Sequence, residues 1–192
     1  MKHAASRELY AYWDERRGER PAPERADIEP GAIRKVLSDA FILALDGGAG
    51  HPFRLAGTRV CALFGRELKS ESFIGLWAAA SQPIVSDLLA ILNDERVGTV
   101  AGVTAQNADG DPIDLELLLL PLGASRPSLA RTIGVLVPIK APQWLGSSPI
   151  GALTLGSRRH IGASVETRLL PRFMAPRRRH LTVYEGGRGI GG

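Results

Sequence analysis

Residues 114–122, Asp-Leu-Glu-Leu-Leu-Leu-Leu-Pro-Leu, read as a strand with no water-facing side. Leu115, Leu117 and Leu119 fall on one face at the two-residue period, while Leu118 and Leu120 fall on the other. Residues 40–46 behave alike, with Phe41, Leu43 and Leu45 opposite Ile42 and Ala44. An antiparallel sheet with one face in water alternates apolar and polar side chains more cleanly. These strands therefore require a sheet covered on both faces. The cover for the second face is read in residues 4–17, a helix with Leu9, Tyr12, Trp13 and Arg16 at three- and four-residue spacings. That helix comes from the same chain or from a partner subunit, and Gly18 with Pro21 and Pro23 ends it.

The other elements follow in order. Asp27-Ile-Glu-Pro30 opens a short helix around residues 32–37, with a cap, acids and a proline at its start. The strand 40–46 and the strand 51–57 form a hairpin across Gly47-Gly48. After Gly57 the pattern turns helical, broken at Gly65 and Gly75, and residues 83–95 form a longer helix with Ile84, Leu88, Ile91 and Leu92 on one face. Strands at 97–106, 114–122 and 131–139 complete the body, the first two joined at Asn107-Ala-Asp-Gly110.

Charge divides the chain in the same place as pattern. Residues 1–140 carry 16 Lys+Arg and 18 Asp+Glu, a net of −2, whereas residues 141–192 carry 8 and 2, a net of +6. The sequence thus predicts an N-terminal helix at 1–23, a body at 24–140 and a basic, flexible tail at 141–192. No run reaches the roughly 18 apolar residues of a membrane span. The charged N-terminus lacks a secretory apolar stretch, and one cysteine forms no internal disulfide. A cytoplasmic protein is expected.

The order strand, strand, short helices, long helix, three strands is that of an α+β fold with a five-stranded antiparallel sheet. Leu9-Tyr-Ala-Tyr-Trp13, Ala26-Asp-Ile-Glu-Pro30, Phe53-Arg-Leu-Ala-Gly-Thr-Arg-Val-Cys-Ala-Leu-Phe-Gly-Arg-Glu-Leu68, Ser72-Phe-Ile-Gly-Leu-Trp77 and Leu115-Glu-Leu-Leu-Leu-Leu-Pro-Leu122 with Ile133-Gly-Val-Leu-Val-Pro138 appear in sequence order. As an ordered set over about residues 8–139, these segments resemble the small PAS-like proteins of alphaproteobacteria. The resemblance implies helices over one sheet face and a signalling or regulatory role, often as a dimer and often without a defined cofactor, to which the residues themselves add the N-terminal capping helix.

Site candidates follow from the residues. Cys61 has no histidine nearby except His51 on the preceding strand. A working thiolate needs a base, a cation or a metal beside it, so Cys61 reads as wall rather than nucleophile. Phe64, Phe73 and Trp77 read as core, or as the lining of a ligand pocket shared with Leu117, Leu119 and Val135, with Arg59 as a polar group at its edge. Flavin-binding PAS relatives place their cysteine in Asn-Cys-Arg-Phe, whereas here it stands in Val-Cys-Ala-Leu. His3, His51, His160 and His180 are scattered, with none on the long helix and none at ligand spacing. Haem, flavin and zinc are therefore not expected. Asp114 and Glu116 share a strand face, where structural contacts are expected rather than acid–base chemistry.

The expected function is a non-enzymatic sensory or regulatory module, a homodimer through Leu9, Tyr12 and Trp13, with a small-molecule ligand and a signalling protein partner. An alternative uses the tail: Arg177, Arg178 and Arg179 match phosphate geometry and point to nucleic acid or anionic lipid.

Overall fold

The computed structural model describes residues 1–45, 50–123 and 130–162. Helix α1, Ala4–Arg17, begins at His3, whose Nδ1 accepts from the Ala5 amide at 3.1 Å, and carries Arg16 and Arg17 in its last turn. Both placements suit the helix dipole and its unpaired N–H groups. Residues 28–37 form successive turns rather than the predicted short helix. Ala32, Ile33 and Val36 each donate three residues back, to Glu29, Pro30 and Ile33, and a 3₁₀ turn at Leu37–Asp39 follows. Gly31, a poor helix former, follows Pro30 at the head of this segment and weakens a continuous helix there.

Strands β1 (Ala40–Ala44) and β2 (Phe53–Ala56) lead to the two-turn helix α2, Thr58–Phe64. Helix α3 (Gln82–Glu95) has Pro83 in its first turn. Strands β3 (Gly98–Gln106), β4 (Pro112–Leu122) and β5 (Arg131–Pro138) follow, then β6 (Thr154–Ile161). The sheet runs β2-β1-β5-β4-β3-β6 with every neighbour antiparallel. The expected five strands are therefore six, and the sheet reaches past residue 140 into the segment read as tail. Strand β6 escapes the sequence because its side chains are mostly exposed. It owes its extended form to hydrogen bonding along β3, not to an apolar face.

Both faces of the sheet are covered. On one, Phe41, Leu43, Leu115, Leu117 and Leu119 pack with Phe53, Phe73 and Trp77 and with the α3 residues Val85, Leu88, Leu89 and Leu92. On the other, Ile42, Leu118, Leu120 and Leu122 pack with Leu9 and Trp13 of α1 and with Ile28, Ile33 and Val36. Trp13 donates its indole N–H to the Pro121 carbonyl at 2.8 Å, so this chain's own helix lies over β4. The buried face of α3 is rotated from the predicted one: Val85 and Leu89 are inside, whereas Ile84 and Ile91 are 40% and 38% exposed.

Candidate functional site

The turn before β1 and the start of α2 meet at a glycine. Gly57 donates to the Ala40 carbonyl at 2.8 Å, and a Cβ on Gly57 would run into the carbonyl oxygens of Leu37 and Ser38. Only a residue without a side chain lets α2 begin this close to the turn. Two residues on, Arg59 reaches Asp39, Nε to Oδ1 at 3.1 Å. Asp39 is buried, and burial raises its carboxyl above the usual range, with the charges of Arg59 and then His3 pulling it back. A buried carboxylate whose nearby charges do not fully offset its desolvation behaves this way.

A cavity of about 470 Å³ opens beside this pair. His3, Asp39 and Arg59 form its polar end, and Leu63, Leu136 and Leu145 belong to its apolar wall. That volume lies within the ~300–1,000 Å³ typical of small-molecule sites, which are mostly apolar with a few placed polar groups. Five parts of the chain meet here: the first turn of α1, the turn before β1, α2, the end of β5 and residues 139–146. A molecule held there touches the capping helix and the sheet at once.

The residues expected to line a pocket separate. Cys61, Phe64, Phe73, Trp77 and Leu117 all join the core between sheet and helices. Val135 does not: it faces the other way, into the core under α1, and Leu136 takes its place. The reason lies at Gly134, paired with Phe41 across the strands; a Cβ there would stand 2.6 Å from Phe41 Cζ. The ring of Phe41 occupies that position, so β5 turns its glycine and not its valine toward it. Arg59 leaves this group for the cavity edge. Leu9 and Trp13 are buried under the sheet's second face, while Tyr12 donates to the Asp27 carbonyl at 3.2 Å and accepts from the Glu29 amide at 2.8 Å. Arg177, Arg178 and Arg179 lie outside the described residues. His3, Asp39, Leu136 and Leu145 carried no local signal, because only the fold brings them together.

Cys61 has no activating neighbour. Its Sγ donates to Glu67 Oε2 at 3.7 Å; burial pushes the thiol up, a Leu68 backbone hydrogen bond offsets part of this, and the Glu67 carboxylate adds to the rise. A thiol so placed stays protonated and is a poor nucleophile. Among the described residues no group of three His, Cys, Asp or Glu side chains is placed to hold a metal, and no helix is long and apolar enough to cross a membrane.

Glu116 has a structural task. It is buried on the face under α1 and accepts from the backbone amides of Lys2 (2.6 Å) and His3 (3.0 Å), which lead into the helix. Thus the carboxylate that the sequence put on this face ties the start of α1 to β4, and through His3 to the cavity rim.

Comparison with known proteins bears on the fold and on the cofactor. No curated protein matches the chain. Among solved structures, the Rhodobacter sphaeroides LOV protein is 16% identical, over 57% of this chain and 67% of that one, with a TM-score of 0.43. The light state of the blue-light photoreceptor Aureochrome1 LOV is 15% identical over 60% and 91% respectively, with a TM-score of 0.42. An RNA-binding light-oxygen-voltage receptor is 14% identical over 57% of this chain, TM-score 0.45, and the match spans only 33% of that longer chain.

These neighbours are LOV proteins, and the expectation against flavin does not stand. The interior between sheet and helices is nonetheless tightly filled. Phe41, Phe53, Phe73 and Trp77 stand with successive ring centroids 5.6 to 5.8 Å apart, and Ala101, Val103, Leu115 and Leu117 offer the space no polar side chain. The buried Trp77 Nε1 is a donor without a partner there. Among these side chains the Trp77 indole N–H is the group that could meet the polar edge of a bound molecule. The model of the PAS domain family matches residues 1–137, which hold the capping helix, the first five strands and both covered faces, and the chain belongs to that family.

Proposed function

We propose that this PAS domain is a sensory module that binds a small molecule in the cavity beside Asp39 and Arg59 and passes its occupancy to a partner protein through α1. It does so as a homodimer and without catalysis. One observation carries the reading: His3, at the start of the capping helix, lines the same cavity as α2 and the end of β5. A ligand shifts such a module only by the difference in its affinity for two states. Here the two states differ in whether the first turn of α1 stays docked, held by Glu116. Native mass spectrometry on gently purified full-length protein tests this. Added mass on a folded dimer is expected; a bare monomer would remove both the ligand and the dimer from the proposal.

A second reading is favoured by β6, which places Arg158 and Arg159 exposed on the edge of the sheet. These extend the basic character of the C-terminal segment toward a phosphate-rich partner, nucleic acid or anionic lipid. Binding through phosphate contacts weakens steeply as salt rises. A complex that survives removal of residues 163–192 and ignores salt would rule this reading out.

A further inference from the structure

We propose that the cavity beside Asp39 and Arg59 takes a small carboxylic acid with an apolar body, an aliphatic or aryl carboxylate; this rests on the reading of that cavity as the ligand site. The polar end sets the donors of Arg59 and His3 beside a single carboxylate. Arg59 uses Nε on Asp39, and among the described residues its Nη groups have no protein partner. A guanidinium carries five N–H donors in a planar fork, so four remain. His3 accepts the Ala5 amide at Nδ1, so the ring N–H it can offer the rim is the one at Nε2, a second donor. The one carboxylate present, Asp39, is 7% exposed and already paired.

What completes such an end is an acceptor with two oxygens, since guanidinium and carboxylate meet in parallel hydrogen bonds. An ammonium would face Arg59. A phosphate, with more charge, would call for more than the single guanidinium of this rim. The remaining wall, including Leu63, Leu136, Pro138, Ile139 and Leu145, presents no polar side chain, so the rest of the ligand is hydrocarbon. Arg59 pairs with Asp39 through Nε alone, which leaves its Nη edge for a second carboxylate.

The test is calorimetric titration of the full chain with octanoate, octanol and octylamine, in the wild type, in Arg59→Gln and in Leu145→Trp, which fills the cavity. The expected result is octanoate binding at least tenfold tighter than the alcohol or the amine, weakened at least tenfold in Arg59→Gln and lost in Leu145→Trp. Thermal melts of both variants near that of the wild type keep the loss from being one of folding. Octanol binding as tightly as octanoate, with both lost in Leu145→Trp, would overturn the carboxylate assignment and keep the cavity as the ligand site. Absence of octanoate binding also overturns the assignment. Native mass spectrometry then separates the two ideas: a co-purified ligand missing from Leu145→Trp preserves the cavity reading, and one retained by that variant ends it.

Discussion

At Glu116 burial pulls the carboxyl upward, but the amides of Lys2 and His3 hold the charged form more strongly, and the net shift is downward. The folded group thus titrates below the unfolded one. Between those two values the unfolded chain holds the extra proton, so stability rises with pH. The contribution is whole above the ordinary glutamate value and is lost as pH falls through the depressed folded value. Glu116→Gln should cost ~1–3 kcal/mol at neutral pH, the range for a charge-assisted hydrogen bond lost with its partners left buried. It should also flatten the acid side of the stability curve. Urea unfolding across the carboxylate range checks both; an unchanged acid slope would show that Glu116 is not the group responsible. A second residue tests the packing behind the corrected β5 face. A Cβ at Gly134 would stand 2.5 Å from the Leu118 carbonyl and 2.6 Å from Phe41 Cζ. Gly134→Ala should therefore destabilise by roughly 1–3 kcal/mol, as overpacking does, whereas Gly110→Ala, with open space but a φ of 87°, should lose less than Gly134→Ala. At this scale the sequence was half readable. Alternation puts Leu117 and Leu119 on one face of β4, but Ile133, Val135 and Val137 give β5 an apolar face too, and what decides its direction is the Phe41 ring on another strand.

Helices α1 and α3 show the same split between pattern and packing. For α1 the spacing of Leu9 and Trp13 suffices, because Asp14, Glu15, Arg16 and Arg17 leave a single apolar stripe. Trp13 is 1% exposed, its indole N–H bonds Pro121, and Arg17 lies 5.5 Å over its ring. Trp13→Ala should cost roughly 3–5 kcal/mol, the usual range for a buried aromatic, and should raise amide exchange in β4 beneath it. A variant with unchanged unfolding midpoint would mean that α1 does not hold the sheet from within its own chain. In α3, by contrast, Ile84, Val85, Leu88, Leu89, Ile91 and Leu92 form one apolar stripe about 160° wide at 3.6 residues per turn. Two faces then satisfy the three- and four-residue spacing, and the sequence chose the one centred on Ile84 and Ile91. The tertiary fit chose Val85 and Leu89. Ile84→Lys and Ile91→Lys should each change stability by no more than about 0.5 kcal/mol, as surface replacements do. Leu88→Ala should cost ~2–5 kcal/mol. Equal losses from Ile84→Lys and Leu88→Ala in urea unfolding would restore the face read from the sequence.

For the whole molecule, the boundary at residue 140 is where pattern and structure part company. Composition marks a change there because residues 141–161 hold few large apolar side chains. Yet Ile150 and Leu153 are 6% and 0% exposed and sit in the core under the helices. Their backbones are tied in as well: Ile150 donates to the Leu63 carbonyl at 2.8 Å, Leu153 to Leu76 at 2.9 Å, and Ala78 to Leu153 at 2.8 Å. Two buried side chains in twenty residues make no periodic signal, and β6 adds none, since its pairing with β3 is a backbone matter. The physical consequence is testable by truncation. A chain ending at residue 162 keeps all of these contacts and should unfold at the midpoint of the full chain. A chain ending at residue 140 loses Ile150, Leu153 and β6 together and exposes the long β3, with Val100, Ala101 and Val103, as a sheet edge. Unpaired edges of that length pair with other chains. The shorter chain should therefore unfold several kcal/mol more easily, on the scale of ~2–5 kcal/mol for each large core side chain removed, and should associate in light scattering as its concentration rises. If instead the chains ending at 140 and 162 match in midpoint and mass, residues 141–161 contribute nothing to the fold, and the cavity loses its Leu145 wall as a stable feature.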